Sequence, residues 1–277
     1  MQDKKNEMTV SYCGTRGSFS EIAASKLFPS GELIPCASFR EAYDLVTTGK
    51  AERALLPIEN SYAGEVAATV DLLYRGRLFV SDLFEMKIEQ NLIGIKGTTL
   101  ADVKKVISHP QALAQCAEYI AAHKYAEIVS ENTAFAAKTV ADTGSKELAA
   151  IASRACAKLY GLEVIAADIE ESRENTTRFA LFSTGATTKR EGEHLILLFA
   201  VGDRSGALAE ALSIIARYGY NMKSLHSRPL KDRPWQYYFY VEAEGNGSEE
   251  DLLDELKKCC EDAKIAGRFL PDKQILL

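Results

Sequence analysis

Between Thr9 and Gly161 the sequence switches again and again from a short β-rich run to an amphipathic stretch, and this alternation restricts the fold more than any other feature. Thr9–Cys13 reads as a strand, and the helical spacing of Ile22, Ala23, Leu27 and Phe28 stops at Pro29 and Gly31. Leu33–Pro35 fits a second strand. Ser38 and Glu41 form a capping box for a helix over Phe39–Thr47, which Gly49 ends. Arg53–Ile58 is a strand and Val66–Tyr74 a helix, while Leu78–Ile95 is longer, strand-like and broken near Glu89–Asn91. Then come a short helix over Leu100–Lys104, a strand over Val106–Ser108, and a helix over Pro110–His123 with proline at its first position. Ile128–Val129, Thr133–Asp142, Leu148–Ala152 and Ser153–Tyr160 continue as strand, helix, strand and helix, closed by Gly161. Such a rhythm predicts α/β units. The passage around Leu78–Ile95 is expected to cross between two lobes and leave a cleft at the hinge.

Three polar turns, Gly14–Ser18, Asn60–Gly64 and Ser108-His109-Pro110, each follow a strand and are read as leading into a helix. Backbone N–H groups at a helix start, with the positive end of the macrodipole, attract anions. In α/β sheets such turns gather at the carboxyl ends of the strands. The alternative for Ser18, Asn60, Ser61 and Ser108 is plain helix capping. Further on, a polar loop from Asp168 to Asn175 runs into an apolar strand near Phe179, with Thr176, Thr177 and Arg178 at the junction. There Arg178 either meets a ligand or pairs with a loop acid. His109 suits proton transfer or an N-cap. Gly14–Ser18 lacks the lysine of a P-loop and does not match GxGxxG, and no Gly-x-Ser-x-Gly elbow is present.

Length and charge narrow the class. A chain of 277 residues accommodates two domains, and a net charge of −6 without a long basic run argues against nucleic acid. The six cysteines are scattered without zinc-type spacing, and the start, Met1 to Met8, is polar. No run approaches the ~20 apolar residues of a membrane span. A cytoplasmic protein without a metal is the expectation. Residues 184–193 read as a linker. Beyond it the order is strand His194–Val201, helix Gly206–Tyr218, strands Asn221–Arg228 and Gln236–Ala243, helix Glu249–Glu261 and strand Ile265–Leu270. This βαββαβ order is ferredoxin-like.

Several segments carry a family resemblance. Ser108-His109-Pro110-Gln111-Ala112-Leu113-Ala114-Gln115-Cys116, Glu59-Asn60-Ser61 with Gly64, and Asn175-Thr176-Thr177-Arg178-Phe179 resemble the signature motifs of prephenate dehydratases. Gly14-Thr15-Arg16-Gly17-Ser18-Phe19-Ser20 is similar to that family's N-terminal glycine motif, with Ser18 where threonine is usual. The C-terminal part resembles an ACT domain. Gly206-Ala207-Leu208-Ala209 and His226-Ser227-Arg228-Pro229 stand for its two effector motifs, departing from them at Ala209 and His226.

The resemblance implies an α/β, two-lobed catalytic domain like type 2 periplasmic binding proteins, over 1–186, with its second lobe at about 80–170. An ACT domain follows over 193–277. It implies decarboxylation and dehydration of prephenate to phenylpyruvate, driven by aromatisation and needing no cofactor. Thr177, Arg178, Ser108, Gln115 and Asn60 are the expected catalytic residues, and Thr15, Ser18, Ser61, Gly64, Thr176 and Phe179 the expected substrate contacts. Thr177 is placed against the leaving hydroxyl and Arg178 on a carboxylate. L-Phenylalanine is the expected effector, held by Gly206, Ala207, Leu208, Asn221, Ser227 and Arg228 between subunits of a homodimer or homotetramer. No chorismate mutase segment precedes residue 8, so a monofunctional enzyme is expected. Arogenate dehydratase and a non-catalytic carboxylate or amino-acid sensor are the alternatives.

Overall fold

The structure, a computed structural model, describes residues 8–172, 174–185, 194–270 and 273–275. The polar start and most of the expected linker, at 186–193, lie outside the described residues. The chain begins β1 (Thr9–Cys13), α1 (Phe19–Leu27), β2 (Glu32–Cys36), α2 (Phe39–Thr47), β3 (Arg53–Asn60) and β4 (Gly64–Glu65). Then follow α3 (Ala67–Arg75), β5 (Phe79–Lys87), β6 (Asn91–Gly94), β7 (Lys105–Ser108), α4 (Pro110–Gln115) and α5 (Ala117–His123). β8 (Ala126–Val129), α6 (Thr133–Thr143), β9 (Leu148–Ala152), α7 (Arg154–Tyr160), β10 (Glu163–Ala166) and β11 (Thr176–Ser183) come next. The remainder is β12 (His194–Val201), α8 (Ala207–Arg217), β13 (Asn221–Pro229), β14 (Tyr237–Glu244), α9 (Glu249–Cys259), β15 (Cys260–Phe269) and β16 (Lys273–Ile275).

Three local expectations are corrected. Leu100–Lys104 is a turn, because the Thr99 N–H and hydroxyl both donate to Asp102 Oδ2, at 2.8 and 2.7 Å, and close it locally. Pro110–His123 is two helices broken at Cys116, where φ is −118° and ψ 18°. The break has a distant cause: the Glu171 N–H takes the Gln115 carbonyl and the Glu171 carboxylate takes the Glu118 N–H. Asn60–Gly64 is a hairpin tip joining β3 to β4 rather than a helix start, with Asn60 opposite Gly64. Gly64 has φ +79°, which glycine adopts without steric cost.

Packing divides the chain into two units. Among the described residues, one runs to Val66, resumes from Glu85 to Phe179 and includes Gln274 and Ile275; the other comprises Ala67–Phe84 and those between Ala180 and Lys273. In the first unit, one sheet has the order β11-β3-β1-β2 and a second the order β10-β6-β9-β7-β8. Along the second sheet neighbouring side chains point to opposite faces. Leu92, Val106, Ala149 and Ile151 meet Leu113, Cys116 and Ile120 on one face. Ile93, Ile107, Ala150 and Ala152 meet Ala137, Val140 and Cys156 on the other. The β5–β6 and β10–β11 passages join the two sheets and brace each other, Ile88 N donating to Asn175 O at 2.8 Å and Ile169 N to Gln90 O at 2.9 Å. This is the two-lobed α/β arrangement expected from the sequence.

The second unit holds the order β13-β14-β12-β15, the ferredoxin-like pattern, with β5 added beside β15. Leu195, Leu197 and Phe199 of β12 bury one face against Ile214 and Ile215 of α8 and Leu252 and Leu256 of α9. The sequence division at 186–193 leaves α3 in the N-terminal part, whereas packing draws α3 to the C-terminal unit. Asp71 of α3 accepts from Arg228 Nε at 3.0 Å and from the Tyr238 hydroxyl at 2.7 Å. Tyr74 stacks on Tyr238 with centroids 3.9 Å apart, and the Lys264 ammonium caps the Leu73 and Gly76 carbonyls.

Candidate active site

Asn60, the last residue of β3, is 5 % exposed and organises the cluster. Its Oδ1 accepts the Tyr62 and Ala63 N–H groups at 3.1 and 2.9 Å, which closes the hairpin and fixes which side of the amide is nitrogen. Nδ2 therefore faces β11, where it lies 2.9 Å from Asn175 Oδ1, 3.0 Å from Thr177 Oγ1 and 3.2 Å from the Thr176 carbonyl. Its pair of hydrogens is shared among these acceptors. Thr177 Oγ1 receives one donor, and its own hydroxyl hydrogen has no acceptor among the described residues. Ser61 pins the same loop: its hydroxyl donates to Glu174 O at 3.0 Å and accepts the Thr176 N–H at 2.9 Å.

From Asn175 a chain of amides runs inward. Gln115 Nε2 reaches Asn175 Oδ1 at 3.4 Å, and Gln90 Nε2 reaches Gln115 Oε1 at 3.2 Å. The Gln90 N–H ends on Glu170 Oε2 at 2.9 Å. Burial raises the Glu170 carboxyl above the usual range, against backbone N–H groups that lower it. Asn175 is 2 % exposed, yet its Nδ2 has no partner among the described residues, and neither does Gln90 Oε1. An unpaired buried amide costs about 1–3 kcal/mol, so the cluster is complete only when something else supplies an acceptor. With the hydroxyl hydrogen of Thr177, two donors two residues apart await the same kind of oxygen-rich molecule.

Residues 10–187 match the family model described as prephenate dehydratase, and residues 194–261 match the ACT domain model. The chain belongs to the prephenate dehydratase family. It is a lyase of the dehydratase type with a C-terminal ACT domain. It is 32 % identical to arogenate dehydratase 2 of Petunia hybrida, over 99 % of this chain and 75 % of that one. It is 35 % identical to a bifunctional N-acyl-homoserine lactone acylase/prephenate dehydratase of Komagataeibacter europaeus, over 95 % and 96 %. Among solved structures it is similar to the prephenate dehydratase of Arthrobacter aurescens in complex with L-Phe, with a TM-score of 0.87 and 29 % identity, covering 98 % of this chain and 92 % of that one.

The other family-motif residues are placed as follows. Arg178 Nη1 pairs with Glu59 Oε2 at 2.9 Å, a strand acid rather than a loop acid. The Ser108 hydroxyl is fully buried and donates to the Ile151 carbonyl at 2.6 Å, tying β7 to β9. Phe179 is 1 % exposed and fills the core, while Thr15 is exposed. Within the dehydratase lobes the expected anion-binding turns have already used some of their amides. Glu21 Oε2 takes the Gly17 N–H, Ser18 Oγ takes the Glu21 N–H, and His109 Nδ1 takes the Gln111 N–H. Burial also depresses the His109 pKa, so the ring that caps α4 is a neutral acceptor. The Gly17 carbonyl meets the second lobe, receiving Ser153 Oγ at 3.4 Å and Cys156 Sγ at 3.1 Å.

Asn175, Gln90 and Glu170 belong to the cluster and were not singled out from sequence. Asn175 stood in the Asn-Thr-Thr-Arg run without a role, and its place beside Thr177 was the available signal. Gln90 and Glu170 lie in connecting segments with no periodic pattern. In the ACT domain, Gly206 takes φ +82° at the start of α8, followed by Ala207 and Leu208. Ala200 and Arg228 both pair with Tyr238, so the Gly206 turn and Ser227-Arg228 share one end of the sheet. Asn221 pairs with Glu244 at the opposite end. The Arg228 guanidinium is engaged by Asp71. Among the described residues no group of three or more His, Cys, Asp or Glu side chains is placed to hold a metal, and no helix is long and apolar enough to cross a membrane.

Proposed function

We propose that this enzyme decarboxylates and dehydrates prephenate to phenylpyruvate and is inhibited by L-phenylalanine through its ACT domain. The observation that carries the reading is the Asn60–Asn175–Thr177 cluster with its unused donors. In the reaction the ring carboxylate leaves as CO2, its bonding electrons aromatise the ring, and the C4 hydroxyl departs. Thr177 donates its hydrogen bond to that departing oxygen. Asn60, by donating to Thr177 Oγ1, holds the hydroxyl in line and offsets charge on its oxygen. A threonine is too weak an acid to surrender its proton at pH 7, so its role is preorganised stabilisation rather than general acid catalysis. Asn175 Nδ2 takes a substrate oxygen, and Gln115 holds Asn175. A carboxylate entering among buried amides sheds water, which favours its loss as CO2.

The choice of prephenate over arogenate rests on the side chains around Thr177. They are amides and hydroxyls, and the nearby acid Glu59 is paired with Arg178. A keto acid needs no carboxylate partner, whereas the ammonium of arogenate does. Purified enzyme supplied with each compound should give kcat/KM at least about tenfold higher for prephenate, a difference of ~1.4 kcal/mol. Equal or reversed values would make it an arogenate dehydratase. For regulation, the named complex with L-Phe and the ACT match support the effector, and Gly206–Leu208 with Ser227 are the proposed contacts. We also infer a catalytic part over 1–186, an effector part over 193–277, assembly through paired ACT domains and a cytosolic location. Millimolar-range phenylalanine should inhibit the full-length enzyme, and indifference to it would remove the effector reading.

A further inference from the structure

The end of α9 carries adjacent cysteines with no role in the reaction. Cys259 closes the helix and Cys260 opens β15, and their sulfurs lie 3.7 Å apart, in contact. They differ in access. Cys259 is partly exposed, its thiol donating to the Leu256 carbonyl at 3.4 Å. Cys260 is 9 % exposed and belongs to the domain core with Leu256 and Ala263. Burial holds the Cys260 thiol well above its ordinary pKa, so it stays protonated. An accessible sulfur beside a buried one is the arrangement of an attacking and a resolving cysteine.

We propose that Cys259 and Cys260 form a reversible redox site that a peroxide converts to a vicinal disulfide. The Cys259 thiolate attacks the peroxide: an S–O bond forms, the O–O bond breaks, and water or an alcohol leaves. The Cys260 sulfur then attacks the sulfenic sulfur. The S–S bond forms, the S–O bond breaks, and the oxygen leaves as water with the Cys260 proton. Both thiols are oxidised by two electrons in all, and the peroxide is reduced by two. The sulfurs need approach only from 3.7 Å to the bond length of about 2.05 Å. Neighbouring Cα atoms are about 3.8 Å apart, shorter than the ~4.4–6.8 Å of ordinary disulfides, so the ring is strained and readily reduced. Closure also loosens the Cys260 N–H bond to Leu256 O that caps α9. It acts at a bulge, where the register of β12 against β15 shifts between Ala200 and Val201, the partner of Cys260.

The alternatives within the chain are poorer. Cys116 and Cys156 are fully buried, and Cys36 is 4 % exposed beside the partly exposed Cys13 on the adjoining strand. The test treats full-length protein with hydrogen peroxide, alkylates the remaining thiols and maps peptides by mass spectrometry. The expected result is loss of alkylation at both Cys259 and Cys260, with a mass lower by a pair of hydrogens, reversed by dithiothreitol. Cys260→Ser should instead stop at a sulfenic acid on Cys259 that dimedone traps. As a measurement on unaltered protein, phenylarsine oxide, which bridges close thiols, should block this oxidation and be released by a dithiol but not by a monothiol. A Cys259 that remains alkylatable, goes on to sulfinic acid without pairing, or reacts after Cys13 would overturn the proposal.

Discussion

Two polar clusters, one in each unit, are opposite in design. Next to Asn60 the side chains of Asn175 and Thr177 are neutral, and the hydrogen-bonding capacity is unfinished: among the described residues Asn175 Nδ2 has no partner and the Thr177 hydroxyl hydrogen has no acceptor. Around Asp71 the groups are charged and the acid is saturated by Arg228, Tyr238 and Lys231, the last at 2.8 Å. Burial alone would raise the Asp71 carboxyl, but these donors hold it down at about 2. A network that satisfies itself stabilises a fold, and one that keeps donors in reserve awaits a ligand. The contrast separates two arginines that the sequence treats alike as ligand-binding: Arg228 is part of the closed network, whereas Arg178 lies one residue from the open one.

The largest expected effect tests the open cluster. Thr177→Val keeps the β-branched shape and removes the donor, and kcat on prephenate should fall by about 10²–10³, the usual loss for one preorganised donor. Its thermal midpoint should stay near that of the parent, since Asn60 Nδ2, on losing Thr177 Oγ1, keeps Asn175 Oδ1 and the Thr176 carbonyl as acceptors. Asp71→Ala should do the reverse. It removes the carboxylate from Arg228, whose side chain is 16 % exposed, and should lower stability by about 3 kcal/mol in urea titrations. The folded fraction should keep its kcat. If Thr177→Val destabilises the protein and Asp71→Ala abolishes kcat, the two clusters have been assigned the wrong way round.

The next effect reads the same contrast through pH. The Asp71 pKa is lowered on folding, to about 2, so its contribution is complete above the unfolded value near 4 and disappears as pH falls through 2. The stability involved is about 2.5 kcal/mol. Urea midpoints measured over that acid range should fall more steeply for the parent than for Asp71→Ala. Parallel curves would show that the ion pair contributes nothing net. The Asn60, Asn175 and Thr177 side chains add no such slope, and Glu170 at the far end of that cluster, its carboxyl raised by burial, adds one of the opposite sign.

How far these clusters could be read from sequence follows from the range of the interactions. Strand–helix alternation and local caps were legible because their causes lie within a few residues: Ser18, Ser38 and Ser153 accept the N–H three residues on. Thr177 and Asn60 were legible as members of motifs, but their contact spans the chain. The break at Cys116 was not legible, since Glu171 causes it from another segment. Nothing near Asp71 in sequence announces a partner at Arg228. Gln90 and Glu170 were missed for the same reason, because neither fits a helix or strand period and each acquires meaning only through Gln115.

The smallest effect concerns Arg178, which borders the open cluster and is itself paired. Glu59 neutralises much of its charge, so its pull on a substrate carboxylate is weaker than that of a free guanidinium. Arg178→Lys keeps the charge and loses the planar fork, which weakens a two-point grip on a carboxylate. KM for prephenate should rise by up to about tenfold, ~1.4 kcal/mol, with kcat nearly unchanged, as expected when uniform binding is lost. Glu59→Gln tests the sign from the other side: removing this carboxylate charge lessens the competition for the guanidinium, and KM should fall by a few-fold. Steady-state kinetics of both variants decide the matter. A fall in kcat at constant KM in Arg178→Lys would move this arginine from binding into the chemical step. A rise in KM in Glu59→Gln would mean instead that Glu59 holds Arg178 in place and that the pair, like Asp71–Arg228, is structural.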